Sequence, residues 1–212
     1  MTAIAPRKRP VQARSKATVE AILEASARVL VAGGYAELTT TRVAAAAGVG
    51  IGTLYQYFPS KEALVVALLE RSMSDLERAI GAAMGALEEP TLDDTIEAMI
   101  DGLLAAKRAR PELKAALRRQ LPKVEGEALV RTTMRKLQSL VRAALDAHAD
   151  ELPGVDRELA AAVLTTAVEG AVSSALDFAP RLLKSREFRD AMVDLVRGYL
   201  REAMRKAKKR AR

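Results

Sequence analysis

Three of the chain's seven aromatic residues, Tyr55, Tyr57 and Phe58, fall inside "GTLYQYFPSK", residues 52–61. The residue types there suit contact with a polyanion. A phenol donates to a phosphate oxygen while its ring packs on sugar or on a thymine methyl. The Gln56 amide can bond adenine through N6 and N7 together. Gly52 has no side chain, so its backbone can approach a partner closely. Lys61 brings a positive charge, and the N–H groups behind Ser60 add the positive end of a helix dipole.

No other chemistry finds a matching constellation. There is no cysteine, which excludes disulfides and thiolate metal sites and fits a reducing compartment. His148, the single histidine, stands among Asp146, Asp150 and Glu151. It reads as a charge partner at a helix C-terminus, with no second ligand for a metal. Glu88-Glu89 and Asp93-Asp94 flank Pro90 and read as helix-end capping rather than an acid–base dyad. With no nucleophile–base pair, metal cluster or phosphate loop, the expectation is a protein without catalytic residues, metal or cofactor.

The elements that must position these groups are helices. Alanine is abundant and β-branched runs are few, which predicts an all-α fold. A first helix is expected over 14–32, stopped at Gly33-Gly34. Thr40 is the expected N-cap of a short helix over 41–47, closed by Gly48. Val49 fills the turn, and a second short helix spans about 50–58. Two short helices joined by a glycine turn make a helix-turn-helix. Leu54 and Phe58, four apart, face inward with Val49, and Thr53, Tyr55, Gln56 and Tyr57 are left on or near the outer side. Pro59 and Ser60 separate this unit from a long helix over 61–86. Further helices are expected at about 91–107, 111–120, 125–149, 156–178 and 186–206, about nine in all.

Charge divides the chain. Residues 1–61 hold 8 Lys/Arg against 3 Asp/Glu and residues 201–212 hold 7 against 1, whereas 62–200 is mildly acidic. A basic N-terminal module on a near-neutral helical body points to a polyanion partner. Residues 1–13, with Arg7, Lys8 and Arg9, read as a flexible basic arm, and 207–212 as a basic tail that frays into solvent. The apolar stretch 159–176 is mostly small residues with Glu169 in its middle, and reads as a packed helix rather than a membrane span.

The stretch "LTTTRVAAAAGVGIGTLYQYFPSKEAL", preceded by "GGYAEL", resembles the DNA-binding domain of the TetR/AcrR family of bacterial regulators over residues 14–68. The resemblance implies phosphate contacts from Thr40, Thr41, Arg42, Tyr55, Tyr57 and Lys61, and base contacts from Gly50, Ile51, Gly52, Thr53 and Gln56. Gly50 and Ile51 depart from the Ser/Thr and polar residue common in the family. The capping hydroxyl is missing, Ile51 offers only apolar contact, and base-specific hydrogen bonds are expected to be few.

Downstream the resemblance is one of architecture. It implies a helical effector-binding and dimerisation domain over 62–206 behind a DNA-binding domain at 14–61. It further implies a cytoplasmic homodimer joined through the helices at 156–178 and 186–206. The expected function is a transcriptional repressor, released from a double-stranded palindromic operator by a small hydrophobic or amphipathic effector. The pocket is expected from Met99, Leu103, Met134, Glu169 and Ser173. Glu169 stands out because a lone carboxylate in so apolar a helix needs a partner. The alternatives are a non-specific DNA-binding protein and, further off, a helical enzyme.

Overall fold

The computed structural model describes residues 13–120 and 126–210. The basic arm lies outside these residues except for Ala13, which opens the first helix. Among the described residues there is no strand. The α-helices are α1 (Ala13–Glu37), α2 (Thr40–Ala47), α3 (Ile51–Tyr57), α4 (Lys61–Gly85), α5 (Leu92–Arg108), α6 (Pro111–Arg118), α7 (Gly126–Ala147), α8 (Arg157–Phe178) and α9 (Arg186–Arg210). Short 3-10 turns at Ala149–Glu151 and Pro180–Lys184 precede α8 and α9.

Three element ends differ from the sequence expectation. Helix α1 kinks at Gly34 (φ 70°, ψ −172°) and resumes to Glu37. Tyr35 holds the extra turn, since its hydroxyl donates to Glu62 Oε1 at 2.7 Å and the Lys61 ammonium lies 4.2 Å from its ring centroid. The N-cap of α2 is Thr39 rather than Thr40. Thr39 has extended backbone, and its hydroxyl accepts from the Arg42 N–H at 3.2 Å. Both threonines fit the pattern, and the one with β-region dihedrals takes the role. Finally, α9 stays helical to Arg210, with Lys208, Lys209 and Arg210 in its last turn, where cations favour the negative end of the dipole.

The chain divides into two compact units. One comprises the chain up to Ser74 with the segment from Glu112; the other comprises Asp75–Pro111 and the chain from Leu129 onward. In the N-terminal unit Ile22, Leu30, Leu38, Val43, Leu54, Phe58 and Leu64 are buried. Each such side chain contributes about 1.5–3 kcal/mol of burial. Phe58 is thus the core ring expected of it. The C-terminal unit has its own core, in which Leu104, Leu152, Leu183, Val193 and Leu200 are almost wholly covered.

Within the C-terminal unit, α5 starts at a capping box. The Thr91 hydroxyl accepts from the Asp94 N–H, and the Asp94 carboxylate accepts from the Thr91 N–H. Midway, Gly102 lets α5 approach α4 closely, since a Cβ there would stand 2.7 Å from Ile80 Cα. Arg189 and Arg197 of α9 reach back to α5. Arg189 bonds Glu97 at 2.7 Å and both oxygens of Asp101 at 2.9 Å, and Arg197 bonds Asp93 and Glu97 at 2.8 Å. Helix α8 is long and apolar enough by composition to cross a membrane, yet half of that stretch is buried inside the protein.

Candidate nucleic-acid interface and apolar cavity

Gly48 closes α2 in the left-handed region (φ 67°, ψ 30°), which glycine enters at little cost. Its N–H bonds the Ala45 carbonyl at 3.2 Å and the Val49 N–H bonds the Ala44 carbonyl at 3.0 Å. This paired closure satisfies two orphan carbonyls at once. Arg28 of α1 donates to the Ala46 carbonyl at 3.1 Å, adding a cation at the negative helix end. The turn between α2 and α3 is therefore fixed by backbone geometry, and Val43, Ala44 and Leu54 bury the inner faces.

That packing leaves a polar outer face. Tyr55 is 45% exposed and Ile51 42%; Gly50, Gly52 and Gln56 are also exposed, and Thr53 and Tyr57 partly so. Across the two helices, the hydroxyls of Thr40 and Tyr55 lie 3.1 Å apart. Thr41 and Arg42 are exposed beside them. Arg42 is engaged by Glu37 in an exposed ion pair, a contact worth little that a phosphate can replace. Gly50 caps α3 without any side-chain bond, as its lack of a hydroxyl requires.

Lys61 opens α4 beside Glu62. Burial raises the Tyr35 phenol to about 12, helped by its bond to the Glu62 carboxylate. Burial works against the ionised Glu62, but bonds from Tyr35, its own backbone and Ser60, with the Lys61 charge, hold its carboxyl below the ordinary range. The Ser60 hydroxyl accepts from the Ala63 N–H at 3.2 Å, so Ser60 caps α4.

The C-terminal unit holds a cavity of about 90 Å³. Its walls are apolar side chains of α4, α5, α7, α8 and α9, with Met99, Leu103, Leu145, Leu164 and Val168 among them. Three polar residues join them: Thr95, Thr165 and Glu169. Met99, Leu103 and Glu169 of the sequence expectation thus meet here. Met134 packs on the core instead, and Ser173 is buried beside Glu169 without lining the space.

Glu169 has found the partner its surroundings demand. Its Oε1 accepts from Lys107 Nζ at 2.6 Å and from the Ser173 hydroxyl at 2.8 Å. Among the described residues nothing bonds its buried Oε2, and the buried Thr165 Oγ1 is likewise without a partner. Thr95 is different, because its hydroxyl lies 2.8 Å from His148 Nε2 and His148 Nδ1 lies 2.8 Å from Glu151 Oε1. His148 is therefore a partner of Glu151, as its neighbours implied, and also bridges to α5. Lys107 escaped the sequence reading because nothing in its own neighbourhood marks it out; it lies 62 residues from Glu169.

Comparison with known proteins matches two stretches of the chain to families. Residues 22–68 fit the description "Bacterial regulatory proteins, tetR family". Residues 91–200, more than half of the chain, fit "Tetracyclin repressor-like, C-terminal domain". The chain belongs to the tetR family of bacterial regulatory proteins, and its helix-turn-helix makes it a DNA-binding transcription regulator. It is 35% identical over 98 residues to the HTH-type transcriptional repressor KstR of Mycolicibacterium smegmatis, covering 46% of this chain and 47% of that one. It is 37% identical over 78 residues to the nucleoid occlusion factor SlmA of Actinobacillus pleuropneumoniae, covering 37% and 38%. These matches span less than half the length of either relative. Among solved structures, a TetR transcription regulator from Haloarcula marismortui is 25% identical, with 89% and 98% of the two chains covered and a TM-score of 0.69.

Proposed function

We propose that the protein is a sequence-specific repressor that binds a palindromic operator as a homodimer and leaves it when a small apolar or amphipathic effector enters the C-terminal unit. The observation that carries this reading is the exposed polar face of the helix-turn-helix, with the Thr40 and Tyr55 hydroxyls 3.1 Å apart across α2 and α3. Thr40, Thr41, Arg42, Tyr55, Tyr57 and Lys61 contact phosphates, and Gly50, Ile51, Gly52, Thr53 and Gln56 lie along the base edges. Residues 14–61 form the DNA-binding domain and 62–206 the effector and dimer domain of a cytoplasmic protein, with Met99, Leu103 and Glu169 facing the effector.

The homodimer reading rests on one uncharged stripe. On α8, Leu159, Val163, Thr166, Gly170, Ser174 and Phe178 are exposed, and Phe178 is 85% so. On α9, Ala191, Leu195 and Gly198 are exposed. Small and apolar residues at this spacing let helices of a second copy pack closely.

Selection of binding sites from random DNA tests the whole reading. The expected outcome is a two-fold symmetric consensus bound about a thousandfold or more tighter than random DNA. A second reading, non-specific binding, is favoured by the uncapped Gly50 and the apolar Ile51 at the head of α3. A ratio near one with no consensus would establish it instead.

A further inference from the structure

The polar atoms of the cavity define what can fill it. Glu169 Oε2 and Thr165 Oγ1 are buried without partners among the described residues. They stand four residues apart on α8, one turn along the same face, and both residues line the cavity. A buried polar atom left unpaired is costly, so a ligand that satisfies both gains most. Oε2 of a carboxylate only accepts, whereas a threonine hydroxyl donates or accepts. A hydroxyl answers both with one atom, giving its proton to Oε2 and accepting the Thr165 proton. The remaining polar residue, Thr95, already shares its hydroxyl with His148, so the rest of the wall asks for apolar surface.

Charge narrows the class further. Glu169 is already neutralised by Lys107 at 2.6 Å. An anionic ligand head would meet the bare Oε2 as a like charge. A cationic head would stand near the Lys107 ammonium and bring an unbalanced charge into an apolar space, which strongly disfavours it. Resting on the reading of an effector-released regulator, we propose that the cavity takes an uncharged apolar molecule carrying one hydroxyl, an aliphatic alcohol or a phenol. Its size is small. The space of about 90 Å³ is below the ~150 Å³ dry cavity that accepts benzene, and Met99 is the flexible wall that can yield to a larger body.

Calorimetric titration of the full chain without DNA, using 1-pentanol, phenol, pentanoate, pentylammonium and 1-methoxybutane, tests the class. Pentanol and phenol are expected to bind at least about tenfold more tightly than methoxybutane, which has no proton to give Oε2, and than the two ions, whose charge the cavity does not balance. Thr165→Val, which removes only the orphan hydroxyl, should weaken pentanol about three- to tenfold, and methoxybutane, whose ether oxygen also accepts from Thr165, by a similar factor. The melting temperature of that variant without ligand should stay level or rise, because an unpaired buried hydroxyl has gone. Equal binding of pentanoate or pentylammonium, absence of alcohol binding, or an unaltered pentanol affinity in Thr165→Val would each overturn the proposal. Gel-shift release of the selected operator is read separately. Pentanol that binds without releasing DNA leaves the ligand class standing and removes the release mechanism.

Discussion

Tyr55 and Glu169 each carry a polar group on a helix, and their surroundings are opposite. Tyr55 keeps 45% of its surface in solvent, and its hydroxyl meets that of Thr40. The Glu169 side chain is 19% exposed, with two donors on one oxygen and none on the other. The difference runs through the two units. The N-terminal unit holds the polar groups of its helix-turn-helix outside a small apolar core, where a change alters what binds. The C-terminal unit holds its own between helices, where a change alters whether the unit stays folded.

The largest expected effect follows from removing Lys107. Lys107→Met leaves the Glu169 carboxylate buried with only Ser173, and should cost about 3 kcal/mol in urea unfolding, the lower end for breaking a buried pair. The double change Lys107→Met with Glu169→Leu should recover most of the loss, since both charges are then gone. If Lys107→Met unfolds at the wild-type midpoint, the pair is not the buried contact described here, and the contrast with the N-terminal unit fails.

Tyr57→Phe probes the other side. One phenolic hydroxyl is lost from a partly exposed ring, so stability should be unchanged while operator affinity falls by about 1.5–3 kcal/mol, the range for a bond to a charged acceptor. A measurable drop in melting temperature with unaltered DNA binding would assign Tyr57 to the core and blur the distinction. A third change, Gly102→Ala, sets two effects against each other. Alanine favours a helix by about 1 kcal/mol, but its Cβ would press on Ile80 backbone at 2.7 Å. Backbone cannot swing aside, so a net loss of about 1–2 kcal/mol is expected. A gain in stability would mean that α4 and α5 part at no cost.

The same contrast explains what the sequence reveals. In the N-terminal unit the groups that matter lie within a few residues of each other. Gly48 must be left-handed, Leu54 and Phe58 must face inward, and the remaining positions of α3 face out by elimination; periodicity and turn chemistry therefore yield both the fold and the candidate surface. The choice of Thr39 over Thr40 as cap was not legible, because adjacent threonines differ only in backbone dihedrals. The extension of α1 past Gly34 was not legible either, because Tyr35 is held by Lys61 and Glu62 from another helix. In the C-terminal unit the partners are far apart in the chain. Lys107 meets Glu169 across 62 positions, Thr95 meets His148 across 53, and Arg197 meets Glu97 across 100. The need for a partner could be read at Glu169, but its identity could not.

Acid should produce the smallest effect and still separate the units. Glu97 between α5 and α9 is held below its ordinary value of 4.5, first by the Arg189 bond and then by Arg197, with burial opposing. Asp146 is lowered chiefly by its bond from Arg157, Asp94 by its cap with Thr91, and Glu202 to about 2 by the Arg205 bond. In the N-terminal unit Glu62 is lowered too, against a larger burial effect. A carboxyl whose folded value is depressed binds fewer protons when folded than when unfolded. Its stabilisation is complete above the unfolded value and is lost as pH falls through the folded one. Both units should therefore weaken as pH drops below about 4.5, and the C-terminal unit, with four such groups, should weaken more. These groups are largely exposed, so the shift per group is small. Amide hydrogen exchange between pH 5 and 3, corrected for intrinsic rates, reads the units separately. Protection in α5 and α9 should fall before that in α2 and α3. Loss in the reverse order would show that the α5–α9 ion pairs contribute no net stability and that Glu62 is the acid-sensitive contact.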